Sequence, residues 1–486
     1  MAEADLIKER EKKLEEIKKL NINPYPNRFD FKDHVSDILK KYGKLKNEES
    51  SKDKIVIAGR IRAIRNMGGA AFGNVEDSTA KIQFYIKKDE DEEQYRLFNL
   101  LDIGDIIGIE GNAFRTKRGE LSIHAKKLTL LTKSLRPLPD KWHGLKDTEM
   151  RYRQRYVDLI MNPDVKKTFE TRTKIFDIMR EFLVSKGFIE VETPILQPIY
   201  GGALARPFKT HHNELKREMF LRISNELYLK RLIVGGFEKV FEFSKDFRNE
   251  GIDTRHNPEF TLMETMCAYA DYKDSMKLTE EMLAYVAKKV VGTTKLEYQG
   301  QKIDLTPPFR KITMMDAVKE YAGADFSIIK KDEDAKRKAE ILGVKTEGSS
   351  VNEIMADVYD QIVEEKIIQP TFVMEYPVEI SPLAKYKPGQ LDFTERFELI
   401  IGGREYANVY SELNDPIQLK KNFEEHIARK QKGKEAHPMD RDFMRALEIG
   451  MPPTSGIGIG MDRFVMLLTN QPSIRDVIFF PILKKK

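Results

Sequence analysis

The chain has 486 residues, 41% of them hydrophobic and 33% charged, which fits a globular protein and argues against disorder. Its one cysteine, Cys267, excludes an intrachain disulfide and any zinc or iron–sulfur site built from several thiolates, and points to a reducing compartment. The net charge of +5 is weak evidence for a nucleic-acid partner; with no secretory signal and no apolar run of roughly 20 residues, the expected location is cytoplasmic, with no membrane partner.

Residues 1–20 mix Lys and Glu with Leu6, Leu14, Ile17 and Leu20 at helical spacing. An N-terminal helical segment is expected over 1–50. Equal numbers of acids and bases in that stretch favour packing on the body of the protein over RNA binding. From about Lys54 to Leu131 the pattern alternates in KIVIAGRIRAI, AAFGNVED, KIQFYIKK, DIIGIEGNAFRT and LSIHAKKLTLL. Five short strands predict a closed barrel of the OB-fold type over 51–132, with helical EEQYRLFNLL between the third and fourth. Prolines and Trp142 without periodicity mark 133–150 as a linker.

Residues 151–486 read as one mixed domain. It opens on a helix over 171–187 ended by Gly187, then FIEVETP, a strand stopped by Pro194. The polar, helical stretch at about 325–370 reads as a small insertion.

The chain lacks the phosphate-loop pattern, and Gly456-Ile457-Gly458-Ile459-Gly460 lacks dinucleotide-motif spacing. That run reads as a tight glycine turn that puts Arg463 near the start of a helix. A guanidinium at a helix N-terminus suits a polyphosphate. Residues 243–265 pack Arg248, Glu250, Arg255, His256, Asn257, Glu259, Phe260 and Glu264 between two strand-like segments. A charged hairpin is the ordinary reading. The same set also offers what a nucleotide needs, with Arg for phosphate, Phe for a purine face and Glu for an exocyclic amine. In RFELIIGGREYANVYSELNDP, Glu398 and Glu405 flank a Gly-Gly bulge on a broken strand, so their carboxylates could converge on Mg²⁺; two exposed strand glutamates are the alternative. His211 and His212 lack zinc spacing, and no Ser/His/Asp or Cys/His set supports covalent catalysis.

Taken together, GFIEVETPIL (187–196), FRNEGIDTRHNPEF (247–260) and GIGIGMDRFVML (456–467) resemble, in order and spacing, the three signature motifs of class II aminoacyl-tRNA synthetases. The segments 135–160, 201–242, SELNDP (411–416) and ALEIGMPPTSG (446–456) narrow the resemblance to the lysyl-tRNA synthetases, over about 54–483. The resemblance implies an α+β protein: an OB-fold anticodon domain, then a catalytic domain with a six-stranded antiparallel sheet flanked by helices. It implies a homodimer through the motif 1 region. It also implies a ligase of protein biosynthesis that activates lysine with ATP and Mg²⁺ (one to three ions) and charges tRNA(Lys).

By the same resemblance, Arg248 bridges the lysine carboxylate and the α-phosphate, and Arg463 holds the γ-phosphate, the two catalytic groups. Phe260 stacks on adenine; Glu250, His256 and Asn257 contact adenine or the triphosphate; Glu398 and Glu405 hold the metal. Gly202, Glu226 and Glu264 receive the α-amine, Asn408 helps with the carboxylate, Glu412 pairs with the ε-ammonium, and Tyr410 lines the stem. In the barrel, Arg65, Phe72, Gln83 and Glu120 match positions that read the anticodon; a place in the barrel core is the alternative for Phe72. The chain departs from the family at Asn225, where a proline is usual, and at Met266, where a tyrosine is usual. Tyr406 and Ala407 also replace other small or apolar residues. The alternatives are an aspartyl- or asparaginyl-tRNA synthetase, a protein-lysylating paralogue, which would lack the barrel, and a non-catalytic tRNA-binding protein on the same fold.

Overall fold

The computed structural model describes residues 3–139, 147–430 and 438–484, and the chain divides into two units, 1–146 and 147–486. In the first, strands β1 (Ile55–Asn66), β2 (Ala70–Glu76), β3 (Lys81–Lys87), β4 (Ile106–Arg115) and β5 (Leu121–Thr132) close into a barrel in the order β1-β2-β3-β5-β4. Period-two alternation decides which side chains fill it: Ile82, Phe84 and Ile86 of β3 are buried, while Gln83 and Tyr85 face outward. The helix Glu92–Leu100 sits between β3 and β4, where the sequence puts it, and Asp91 caps it by accepting from the Gln94 N–H at 3.0 Å. The helix Glu3–Lys19 packs on the same unit. It buries Leu14 and Ile17, and the Arg10 guanidinium donates to the carbonyls of Ser134 at 2.8 Å and Ile103 at 3.0 Å. Of the expected linker, residues 140–146, Trp142 among them, lie outside the described residues.

The second unit is built on an eight-stranded sheet. Its strands are β6 (Ile189–Glu190), β7 (Lys239–Phe247), β8 (Glu259–Ala268), β9 (Arg310–Thr313), β10 (Thr371–Met374), β11 (Arg396–Ile400), β12 (Glu405–Ser411) and β13 (Thr454–Gly460), in the order β9-β10-β11-β12-β13-β8-β7-β6. The six central strands are antiparallel, as expected, but a short parallel strand is added at each edge. The strand expected over FIEVETP is cut to two paired residues, β6; the Val191 N–H still reaches the Phe241 carbonyl at 2.9 Å, and Pro194 has no N–H to continue the ladder. The helix expected at 171–187 begins earlier, at Pro163, whose ring suits a first turn; it ends at Ser185, and Gly187 follows at φ +83°.

Helices Pro163–Ser185 and Tyr272–Val291 bury one face of the sheet in a core that includes Met179, Phe182, Leu283, Phe397, Val409, Ile457 and Ile459. Period two then sends Asn408 and Tyr410 of β12, and Gly456, Gly458 and Gly460 of β13, to the opposite face. The 325–370 stretch forms helices Asp332–Ile341 and Val351–Val358 with their own buried set, Ala335, Ala339, Ile354 and Met355, joined to Ile312 and Val373 of the sheet.

Candidate active site

The glycine run is not a turn. It is β13 itself, and its glycines clear the open face of the sheet: a Cβ at Gly456 would lie 2.3 Å from Glu412 Oε1 and 2.8 Å from Met266 Cε. The helix Met461–Leu468 starts directly after Gly460, so Arg463 does lie in its first turn. Arg463 Nη1 donates to the Glu405 carbonyl at 2.8 Å and approaches Glu405 Oε2 at 3.3 Å, and Nη2 lies 3.4 Å from His256 Nε2. Asp462 anchors this helix: it pairs with Arg172 at 2.7 Å and accepts the Thr261 N–H at 2.7 Å.

The Gly-Gly bulge is also corrected. Gly402 and Gly403, at φ +57° and +70°, make a two-residue hairpin turn closed by Ile401 N–H to the Arg404 carbonyl at 2.9 Å, and Glu398 and Glu405 therefore sit on two adjacent strands. Arg396 Nη2 donates to Glu398 Oε1 at 2.6 Å. Burial, and then the neighbouring Glu405, push the Glu398 carboxyl up to about 8 against the pull of Arg396.

These groups line one cavity of about 460 Å³ on the open face of the sheet. It takes in every residue assigned above to ATP, metal or lysine: Gly202, Glu226, Arg248, Glu250, His256, Asn257, Phe260, Glu264, Glu398, Glu405, Asn408, Tyr410, Glu412 and Arg463. At one end β7 and β8 form the hairpin that carries Arg248, whose guanidinium lies 5.0 Å from the centre of the Phe260 ring. Arg248 Nε and Asn257 Oδ1 are buried without a hydrogen-bond partner among the described residues. Buried polar atoms left unpaired are costly, and a ligand at this end would satisfy them.

The other end is acidic. Gly202, at φ +87°, packs so closely that a Cβ would lie 2.7 Å from Ser224 Oγ. Ser224 Oγ donates to Glu264 Oε1 at 3.2 Å, and burial, then Asp246 and Glu226, hold the Glu264 carboxyl well above its usual range. Glu226 opens the helix Glu226–Val234; its Oε2 accepts from the Tyr410 hydroxyl at 2.5 Å and its Oε1 from Lys230 Nζ at 2.6 Å. Glu412 is fully buried, and its Oε2 lies 2.5 Å from Lys230 Nζ. Asn225 faces away from this set, donating to Glu242 Oε2 at 2.9 Å, while Met266 lines the cavity and belongs to the buried apolar cluster that holds Val240, Leu383 and Phe443.

Lys230 and Arg396 escaped the sequence reading. The first sits one helical turn after Glu226 and the second two residues before Glu398, spacings that signal shared faces. In the barrel unit, Phe72 is half-buried on the outer face, 4.9 Å from the Tyr85 ring, and the core position is filled by Phe84. Tyr85 lies a further 5.8 Å from Phe114 and 5.4 Å from His124, so the outer face carries an aromatic platform. Gln83 Nε2 donates to Ser122 Oγ at 2.8 Å beside it; Arg65, paired with Phe72 across β1 and β2, and Glu120, just before β5, are exposed.

Residues 147–484 match the family described as tRNA synthetases class II (D, K and N), and residues 55–131 match OB-fold nucleic acid binding domains. The chain is 53% identical to a lysine--tRNA ligase of Pelotomaculum thermopropionicum, with 99% of this chain and 95% of the relative covered. It is 54% identical to that of Thermoanaerobacter pseudethanolicus, covering 99% and 96%, and 53% identical to that of Clostridium botulinum, covering 99% and 96%. A two-part chain whose open sheet face joins Arg248 and Arg463 to an acidic pocket, and which matches these relatives along its length, belongs to the class II aminoacyl-tRNA synthetases and, among them, to the lysyl-tRNA synthetases.

Proposed function

We propose that the chain activates L-lysine with ATP and transfers it to tRNA(Lys). The observation that carries the reading is the buried Glu412 at the acidic end of the cavity, opposite the Arg248 end. A buried ammonium is costly unless a carboxylate meets it, and a pocket with Glu226, Glu264 and Glu412 would repel the carboxylate of an aspartate.

In the first step a lysine carboxylate oxygen attacks the α-phosphorus of ATP and pyrophosphate leaves. In the second a terminal ribose hydroxyl of the tRNA attacks the acyl carbon and AMP leaves. Neither step needs a nucleophile from the protein, so catalysis is positioning and electrostatic stabilisation. Arg248 bridges the two reacting anions, as its fork geometry allows. Phe260 offers its ring to adenine, Glu250, His256 and Asn257 bind around it, and Arg463 holds the γ-phosphate. Glu226, Glu264 and the Gly202 carbonyl take the α-amine, Asn408 the carboxylate, and Tyr410 and Glu412 the side chain.

Glu398 and Glu405 fit Mg²⁺, being hard oxygen donors on neighbouring strands. No cluster of three or more His, Cys, Asp or Glu able to hold a metal occurs among the described residues, so the remaining ligands would come from ATP phosphates and water. Bound there, Mg²⁺ would neutralise charge on the phosphates. The exposed Ile189, Ile195 and Leu196 of motif 1 support a homodimer through that region, and the platform around Phe72 supports anticodon binding by stacking. No described helix is long and apolar enough to cross a membrane. Incubating the purified protein with ATP, Mg²⁺, labelled lysine and tRNA(Lys) tests the reading: acid-precipitable lysyl-tRNA is expected, and its absence with active tRNA would reject it.

A further inference from the structure

Lys230 is a cation in an unusual place. Its side chain is 1% exposed, and its Nζ bridges Glu226 Oε1 at 2.6 Å and Glu412 Oε2 at 2.5 Å. The rings of Tyr410 and Phe443 lie 5.6 and 5.9 Å from it. Glu226, Tyr410, Glu412 and Gly456 all line the cavity, but Lys230 does not; it stands behind the wall. Glu412 therefore has two unlike oxygens. Both are buried and neither has a well-directed hydrogen bond among the described residues, but Oε2 lies against the resident ammonium, while Oε1 lies over Gly456, where any Cβ would meet it.

A free lysine brings two ammonium groups to this end, and its carboxylate goes to the other. With the functional reading above as its basis, we propose that Lys230 is a positioning residue for amino-acid selection: from behind the wall it holds Glu226 by Oε1 and Glu412 by Oε2, which leaves Glu412 Oε1 turned toward the cavity for a substrate ammonium.

The groups facing the Lys230–Glu412 pair are Glu226 from the same helix as Lys230, Tyr410 from β12 and Glu264 from β8; Arg231 and Asp440, near Phe443, pair with each other at 2.6 Å. Burial, the largest effect, pushes the Glu412 carboxyl up to about 8 even against the pull of Lys230, and Glu226 adds to the push. Burial would lower the Lys230 ammonium, but Glu226 and Glu412 outweigh it and the net shift is upward. Without Lys230 only the upward pushes on Glu412 remain, so its carboxyl would ionise at a higher pH than it does beside Lys230.

The test is Lys230→Met in the full chain, with ATP–pyrophosphate exchange followed from pH 7 to 9. At pH 7 the lysine KM is expected to rise at least tenfold and the ATP KM to stay within twofold. Between pH 8 and 9 the variant's lysine KM should still fall by about tenfold, the slope of a single required deprotonation, while the wild-type KM, past the Glu412 midpoint of about 8, changes less than threefold. Should the methionine variant not fold, Lys230→Gln, a neutral side chain that can still donate to Glu412, carries the same prediction. An unchanged lysine KM, or a raised KM whose pH profile runs parallel to wild type, would overturn the proposal and leave Lys230 a structural ion-pair partner. Absence of lysine-dependent exchange in the wild type would instead remove the functional reading on which the proposal rests.

Discussion

Arg396 Nη2 donates to Glu398 Oε1 at 2.6 Å, and the Nε of the same guanidinium donates to Asn408 Oδ1 at 3.1 Å. One side chain thus holds both a carboxylate proposed for the metal and an amide proposed for the substrate carboxylate. Its other contacts, the Ile380 carbonyl at 3.1 Å and Ser381 Oγ at 2.9 Å, fix it in place.

Glu398 gives the first prediction. Its carboxyl stands at about 8, raised chiefly by burial and then by Glu405. A divalent cation binds the ionised form, so at pH 7 binding must release a proton. The Mg²⁺ concentration that half-saturates pyrophosphate exchange should therefore fall as pH rises from 6.5 to about 8 and level off above. Exchange assays across Mg²⁺ titrations at each pH check this, and a flat dependence would place the metal elsewhere. Arg396→Met, which leaves Glu398 beside Glu405 without its partner, should steepen the trend and destabilise the fold by about 3 kcal/mol in urea unfolding.

Arg248 carries the second. Its Nε has no hydrogen-bond partner among the described residues, so the guanidinium is free to meet an anion. Arg248→Ala removes one preorganised donor to the reacting phosphate, and adenylate formation should fall by about 10²–10³, or 3–4 kcal/mol. Stability should change little, because few contacts are lost. Exchange close to the wild-type rate would sink the assigned role.

The barrel carries the third. Phe72 lies on the outer face and not in the core, so Phe72→Ala should leave the barrel folded. Phe72→Ala and Gln83→Ala should each weaken tRNA charging, with about 1–3 kcal/mol lost per unstacked base, while amino-acid activation stays intact. If both activities dropped together, the damage would be to folding.

How much of this was legible in the sequence depended on whether a signal was local. Alternation set the five barrel strands, because period two is read within one strand, but it left Phe72 open between the core and the outer face, which only the pairing of β2 with its neighbours decides. Motif order brought the cavity's residues together on paper. What was missed depended on partners distant along the chain. The glycines of 456–460 looked like a turn because glycine usually marks one; they are a strand whose ligand face must stay bare beside Glu412 and Met266. FIEVETP looked like a full strand, but its pairing with β7 stops after two residues. Lys230 was invisible because lysines are rarely buried, and only the fold shows Glu412 arriving from β12's far end to pair with it.

The fourth prediction concerns side-chain selection. Glu412→Gln keeps the shape of the pocket but removes the charge facing a substrate ammonium and frees Lys230 from one partner. Lysine should bind more weakly by about 3–5 kcal/mol, while ATP binding, measured by calorimetry, persists. Met266 should matter less. It is 3% exposed, and its Sδ lies close to the space above Gly456. Met266→Tyr should leave lysine the preferred substrate and improve its binding by at most about 1–3 kcal/mol through a hydrogen bond to the ammonium. The added ring should also cost about 1–3 kcal/mol of stability by overpacking, read from the urea midpoint. A lysine KM that ignores Glu412→Gln would require another partner for the ammonium.

Amino-acid selection is the centre of the account, and ATP–pyrophosphate exchange measured with each of the twenty amino acids tests it most directly. Three carboxylates around one resident ammonium should make lysine the substrate with the highest kcat/KM, with aspartate and asparagine inactive, since neither offers a cation to Glu412. Exchange that is faster with aspartate, asparagine or any other amino acid than with lysine, or that needs no amino acid at all, would contradict it.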